Sequence, residues 1–103
     1  MITERLTFRA RYGQGDALST LLKDSVNVMP TEGILAARSY TDFTGTMFTC
    51  AFEFDYADLN AWAAASQRDI ADYGTSDFQE WFAKMVACTE TGERQLFNSE
   101  KVI

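Results

Sequence analysis

Apolar and polar positions alternate through the first strand-like stretch. Leu6, Phe8, Ala10 and Tyr12 fall on one side, and Arg5, Thr7, Arg9 and Arg11 on the other. Period-two alternation predicts a strand over residues 2–12, which Gly13 and Gly15 end. The pattern then changes period. Leu18, Leu21, Leu22, Val26 and Met29 recur at helical spacing behind Asp16 as N-cap, and Pro30 with Gly33 closes the helix. "GILAARSYTDF" predicts a second strand and "DFTG" a turn, where Gly45 supplies backbone freedom.

"TMFTCAFEFD" predicts a third strand with Phe48, Cys50, Phe52 and Phe54 on one face. Met47, Thr49, Ala51, Glu53 and Asp55 form its other face. "ADLNAWAAASQRDIADY" is helical, with Leu59, Trp62, Ala63, Ile70 and Tyr73 on one stripe and Asp55 or Asp58 near its start. Gly74 suits a helix end, and Ser76 with Gln79 forms a capping box. That box opens a further helix carrying Phe78, Trp81, Phe82, Met85 and Val86. A turn at Gly92 and a last strand complete the chain.

This order is strand, helix, strand, strand, helix, strand, with the second helix split. It predicts an α+β, ferredoxin-like domain over residues 1–103: a four-stranded antiparallel sheet with its helices on one face. Antiparallel pairing of the first and third strands brings Arg5 opposite Glu53, a contact worth about 0.2–1 kcal/mol that mainly fixes register. The uncovered face would carry Thr3, Arg5, Thr7, Arg9 and Arg11 beside Met47, Thr49, Ala51 and Glu53. That mixture suits a surface half-buried by a second copy of the same sheet.

In element order, in the split segment "AWAAASQRDIADYGTSDFQEWFAKM" and in the final "GERQLF", the chain resembles the dimeric α/β-barrel superfamily. That group holds antibiotic-biosynthesis monooxygenase-like and NIPSNAP-like domains. The resemblance implies a homodimer joined sheet to sheet, with a cavity between the sheets. Cofactor-independent monooxygenases of the group use an asparagine and a tryptophan near the substrate; Asn60 and Trp62 are residues of those types here. Haem-degrading members rely on a histidine, and this chain has none.

Composition narrows the chemistry. A hydrophobic fraction of 47% and an aromatic fraction of 14% over 103 residues argue for one packed body. Nine basic against fifteen acidic residues, net charge −6, oppose nucleic acid and anionic membranes as partners. The N-terminal "MITERLTF" lacks the pattern of a secretory leader, and the longest apolar runs fall far short of a membrane span, so the expected location is cytoplasmic. Cys50 and Cys88 are expected as free thiols. The lack of histidine excludes histidine-based triads and most zinc chemistry, and "GQG" is too short for a phosphate loop, so no metal or cofactor is expected.

Arg9 and Arg11 are the leading candidate site residues, with Thr7, Met47 and Thr49 as neighbours. A guanidinium facing a partly enclosed space takes a carboxylate through two hydrogen bonds. The competing assignments are an intersheet ion pair or plain solvent exposure. Trp62, Trp81 and Tyr40 suit either a pocket wall or, for the tryptophans, the core. Glu53 is a base or simply a partner for Arg5, while Arg68, Asp69 and Asp72 read as a solvated helix face. Three functions follow: binding of a small apolar acid, cofactor-free oxygenation or isomerisation of an aromatic substrate, or a dimeric scaffold with no ligand.

Overall fold

A computed structural model describes residues 1–103. The elements run β1 (Ile2–Ala10), α1 (Gly15–Val28), β2 (Ala36–Thr41), β3 (Thr49–Tyr56), α2 (Leu59–Asp72), α3 (Ser76–Cys88) and β4 (Thr89–Asn98). The strands form one antiparallel sheet in the order β2-β3-β1-β4. This is the ferredoxin-like arrangement, and the expected register holds: Arg5 lies opposite Glu53.

Alternation along β1 and β3 decides which residues meet the helices. Ala10, Leu18, Leu22, Cys50, Phe52, Met85 and Cys88 form the buried core, flanked by Phe8, Leu21, Phe48, Phe54 and Trp81. The Trp81 indole N–H donates to the Leu21 carbonyl at 2.8 Å, which ties α3 to α1. Both cysteines are buried and unpaired. Burial pushes the Cys50 thiol pKa up, so it stays protonated and unreactive.

Several elements differ from their sequence expectations. β1 stops at Ala10, so Arg11 lies beyond the strand, although its N–H still donates to Cys88 O at 2.9 Å. Phe48 has φ of 62°, the left-handed region, so β3 begins only at Thr49 and Met47 sits in the preceding turn. α1 is capped at Gln14 without a side-chain bond, and Asp16 lies in its first turn. α2 starts from Asp58, whose carboxylate accepts from Ala61 N–H at 2.8 Å. α3 is capped by Thr75, one residue before the expected Ser76, while the Gln79 amide donates back to Tyr73 O at 2.7 Å.

Gly92 is not a turn. α3 passes directly into β4, and Gly92 pairs with Phe8 inside the ladder. A Cβ at that position would stand 3.0 Å from the Phe8 ring, so glycine is there to make room for an aromatic side chain. α2 also turns a different side inward. Leu59 and Ile70 are 56% and 60% exposed, whereas Ala65 is buried and Arg68 and Asp69 are half-buried. The Arg68 guanidinium donates to the carbonyls of Pro30 and Glu32 and holds the α1–β2 connection against α2.

Candidate functional site

The inward face of the sheet is not filled by the helices. A cavity of about 650 Å³ lies between them, in the size range of small-molecule sites. Its floor is Leu6 and Phe8 of β1 with Phe52, Phe54 and Tyr56 of β3. Leu22 and Val26 of α1, Met29 just past its end, and Phe78, Trp81 and Met85 of α3 form the walls. Stacked rings at Tyr73, Phe78 and Phe82 continue the apolar surface, and Val26, Tyr73 and Phe82 are partly exposed at its rim.

Glu4 and Asp69 also line this cavity. Glu4 shares the inward side of β1 with Leu6 and Phe8, and its Oε2 accepts from the Trp62 indole N–H at 2.9 Å. Arg94 Nε approaches the same oxygen at 3.6 Å from a side chain that is 63% exposed. Asp69 is placed by α2. Burial raises its pKa and the Glu4 charge adds to that, against the opposing pull of Arg68. Its Oδ1 is shielded from solvent, makes no hydrogen bond, and has Arg68 Nη2 no nearer than 3.8 Å. Tyr56 completes this end: burial, then the charges of Glu4 and Asp69, push its hydroxyl up to about 12. Tyr56 is therefore a neutral phenol at physiological pH, next to two carboxylates.

The open face of the sheet has the opposite character. Glu53 and Asp55 are buried on it even though no helix covers them. Arg5 Nε donates to Glu53 at 2.7 Å, Arg38 Nε at 3.2 Å and the Tyr40 hydroxyl at 3.0 Å. Asp55 accepts from Arg38 twice and from the Thr3 hydroxyl, all at 2.8 Å. The Arg38 hydrogen bonds hold Asp55 well below the usual carboxylate range. Burial pushes Glu53 up, but hydrogen bonds from Arg5, Tyr40 and Arg38 outweigh it and leave the pKa lowered.

Thr7, Arg9 and Thr49 share this open face, with Thr7 opposite Ala51 and Arg9 opposite Thr49. Arg9 is half-exposed and reaches Glu90 at 3.7 Å. Thr49 spends its hydroxyl on Thr46 O, and its N–H on Asp42. Met47 and Arg11 lie outside the strands and are exposed. None of these five borders the large cavity. Trp81 does, while Trp62 supports it through Glu4; Tyr40 belongs to the open-face network, and Asn60 is exposed on α2.

Asp69, read from sequence as solvated, is a correction: it faces the cavity. Its signal was present in the helical spacing from Trp62 and Ala65, which also turn inward. No group of three or more His, Cys, Asp or Glu side chains is arranged to hold a metal ion. No helix is long and apolar enough to cross a membrane.

The fold and cavity together define a ferredoxin-like α+β domain of the kind found in NIPSNAP and antibiotic-biosynthesis monooxygenase structures. A NIPSNAP-domain protein from Burkholderia xenovorans superposes with a TM-score of 0.79 at 20% identity, covering 100% of this chain and 98% of that one. SnoaB, a cofactor-independent oxygenase from Streptomyces nogalater, gives 0.66 at 13% identity over 99% and 95%. An antibiotic biosynthesis monooxygenase gives 0.66 at 16% over 98% and 100%. At these identities the likeness is one of fold. No protein-family model matches the sequence, and no curated protein matches it.

Proposed function

We propose that the protein binds a small, largely apolar molecule in the cavity between its sheet and helices, as a homodimer joined through the open sheet faces. The observation that carries the binding reading is an aromatic-lined space of about 650 Å³ with a few polar groups gathered at one end. A filled core of this size would leave no such space. The dimer reading draws on Tyr40 and Phe97, two partly exposed aromatics on the open face, and on the small Ala51 and Thr7 that continue Tyr40's row across β3 and β1.

Nile red, a neutral apolar dye, tests the binding reading. It should bind the wild type with a blue-shifted emission. Val26→Trp, which plugs the rim of the cavity, should abolish that binding without changing the circular dichroism spectrum. Undiminished binding by the variant would place the dye elsewhere and end this reading. For the dimer, light scattering should give twice the chain mass, and Ala51→Lys should return a single chain. A wild-type monomer at micromolar concentration would refute it.

A second reading is cofactor-independent oxygenation. It draws on the shared fold with SnoaB and on Asp69, a carboxylate whose raised pKa suits a proton acceptor. Oxygen consumption with a quinol-like compound, lost in Asp69→Asn, supports this reading. No consumption with a panel of such compounds leaves binding alone.

A further inference from the structure

We infer that the cavity takes an uncharged molecule ending in a carbonyl, whose oxygen accepts a hydrogen bond from the Tyr56 hydroxyl. The inference rests on the cavity being the ligand site and specifies the group that site recognises.

Tyr56 supplies the first observation. It borders the cavity in line with Phe52 and Phe54 on the inward side of β3, and it is only 3% exposed. Its hydroxyl takes no side-chain hydrogen bond; burial and the charges of Glu4, Asp69 and Arg68 alone act on it. Arg68 Nε and Asp69 Oδ1 are the buried side-chain atoms sealed off without a partner, and the Tyr56 oxygen is not one of them. It is therefore an unspent donor that opens on free space, and the space it borders is the cavity. A buried hydroxyl of this kind favours a guest that brings an acceptor.

Charge decides which acceptor. The two carboxylates at this end already face cations, Glu4 meeting Arg94 at 3.6 Å and Asp69 meeting Arg68 at 3.8 Å. Glu4 also accepts the Trp62 indole N–H. An ammonium group finds no free anion here, and a ligand carboxylate would enter beside two like charges. Tyr56 itself stays protonated at physiological pH, so it offers a hydrogen and no charge. A carbonyl oxygen accepts that hydrogen without bringing charge or a further donor of its own. Leu6, Phe54, Trp81 and Met85 then suit the apolar body behind it.

Calorimetric titration of the intact protein with 1-tetralone, tetralin, 1-aminotetralin and tetralin-1-carboxylate tests this, since the four share an apolar body and differ in head group. At neutral pH tetralone should bind at least about tenfold more tightly than the amine or the acid. Tyr56→Phe should lower tetralone affinity about tenfold while tetralin affinity stays within about twofold. Tyr12→Phe, which removes a hydroxyl from an exposed ring away from the cavity, should leave both unchanged. In the infrared, the carbonyl band of tetralone bound to the wild type should lie below its position in cyclohexane, and should return toward it in Tyr56→Phe. A band at the cyclohexane position in the wild type, equal losses for tetralone and tetralin, or a charged analogue that matches tetralone overturns the inference and leaves the cavity reading standing. If Nile red enters and tetralone does not bind, the carbonyl assignment fails alone. If Nile red and the whole series are excluded, the cavity reading fails with it.

Discussion

Asp55 and Asp69 are buried or half-buried aspartates on opposite sides of one sheet, and their surroundings treat them in opposite ways. Asp55 receives three charge-assisted or hydroxyl hydrogen bonds and its pKa falls. Asp69 has an oxygen with no donor and its pKa rises. The first carboxylate is satisfied by the protein and stabilises the fold. The second has only Arg68 Nη2 within reach, at 3.8 Å, and it lies beside the cavity. The same strands therefore hold a closed polar network on one face and an open apolar chamber on the other.

The strongest test of that contrast is Asp55→Asn. It removes the anion from Arg38 and Thr3, and should cost about 3 kcal/mol in denaturant unfolding. For a domain of this length that lowers the melting temperature by roughly 10–20 °C. The pH dependence follows from the lowered pKa values of Asp55 and Glu53. Their contribution is fully present above the ordinary carboxylate range and is lost as pH falls through the folded-state values. Asp69 runs the other way: its raised pKa makes the folded state less stable as pH rises through it. A melting temperature that rose on acidification below pH ~4 would contradict the network's role.

Gly92→Ala comes next in size. The new methyl would meet the Phe8 ring at 3.0 Å and drive it toward the cavity. Stability should fall by about 2 kcal/mol, and Nile red should bind more weakly. Unchanged stability would show that Phe8 has room to move, and that the cavity floor is soft. Asp69→Asn should have the reverse sign, stabilising the protein at neutral pH by about 1 kcal/mol, because it removes a poorly paired buried charge. A loss of stability in that variant would mean that Arg68 depends on Asp69 after all. Arg9→Met should change stability by less than about 0.5 kcal/mol, since its pair with Glu90 is long and exposed. A larger loss would extend the open-face network as far as Arg9.

Parts of this contrast were legible in the sequence. Alternation in β1 and β3 gave the two faces and placed Arg5 opposite Glu53, because a one-residue slip would have exposed Phe8 and Phe52. Arg38 was not foreseen as the main partner of Asp55, since β2 is an exposed edge strand with no alternation to read. The inner side of α2 was missed for a different reason. Hydrophobic spacing weighs large apolar residues, and the inward side of α2 carries Trp62 with the small Ala65 and the polar Arg68 and Asp69, while Leu59 and Ile70 point outward. Gly92 was misread because glycine marks turns far more often than it yields room to a ring across a ladder. The cavity itself left no periodic trace: Phe54 and Trp81 have the same spacing whether they fill a core or line a chamber.

One feature of the backbone links the two faces mechanically. α3 ends at Cys88 and β4 begins at Thr89, with no residue between them. The wall holding Trp81 and Met85 and the sheet edge running to Asn98 are thus a single rod bent once. A guest too bulky for the chamber would push that rod along its length and pull on the outermost strand. The slack lies at Glu90, where pairing slips between Thr91 opposite Arg9 and Thr89 opposite Ala10. Hydrogen exchange at the amides around Glu90 would therefore act as a strain gauge for the size of whatever occupies the far side.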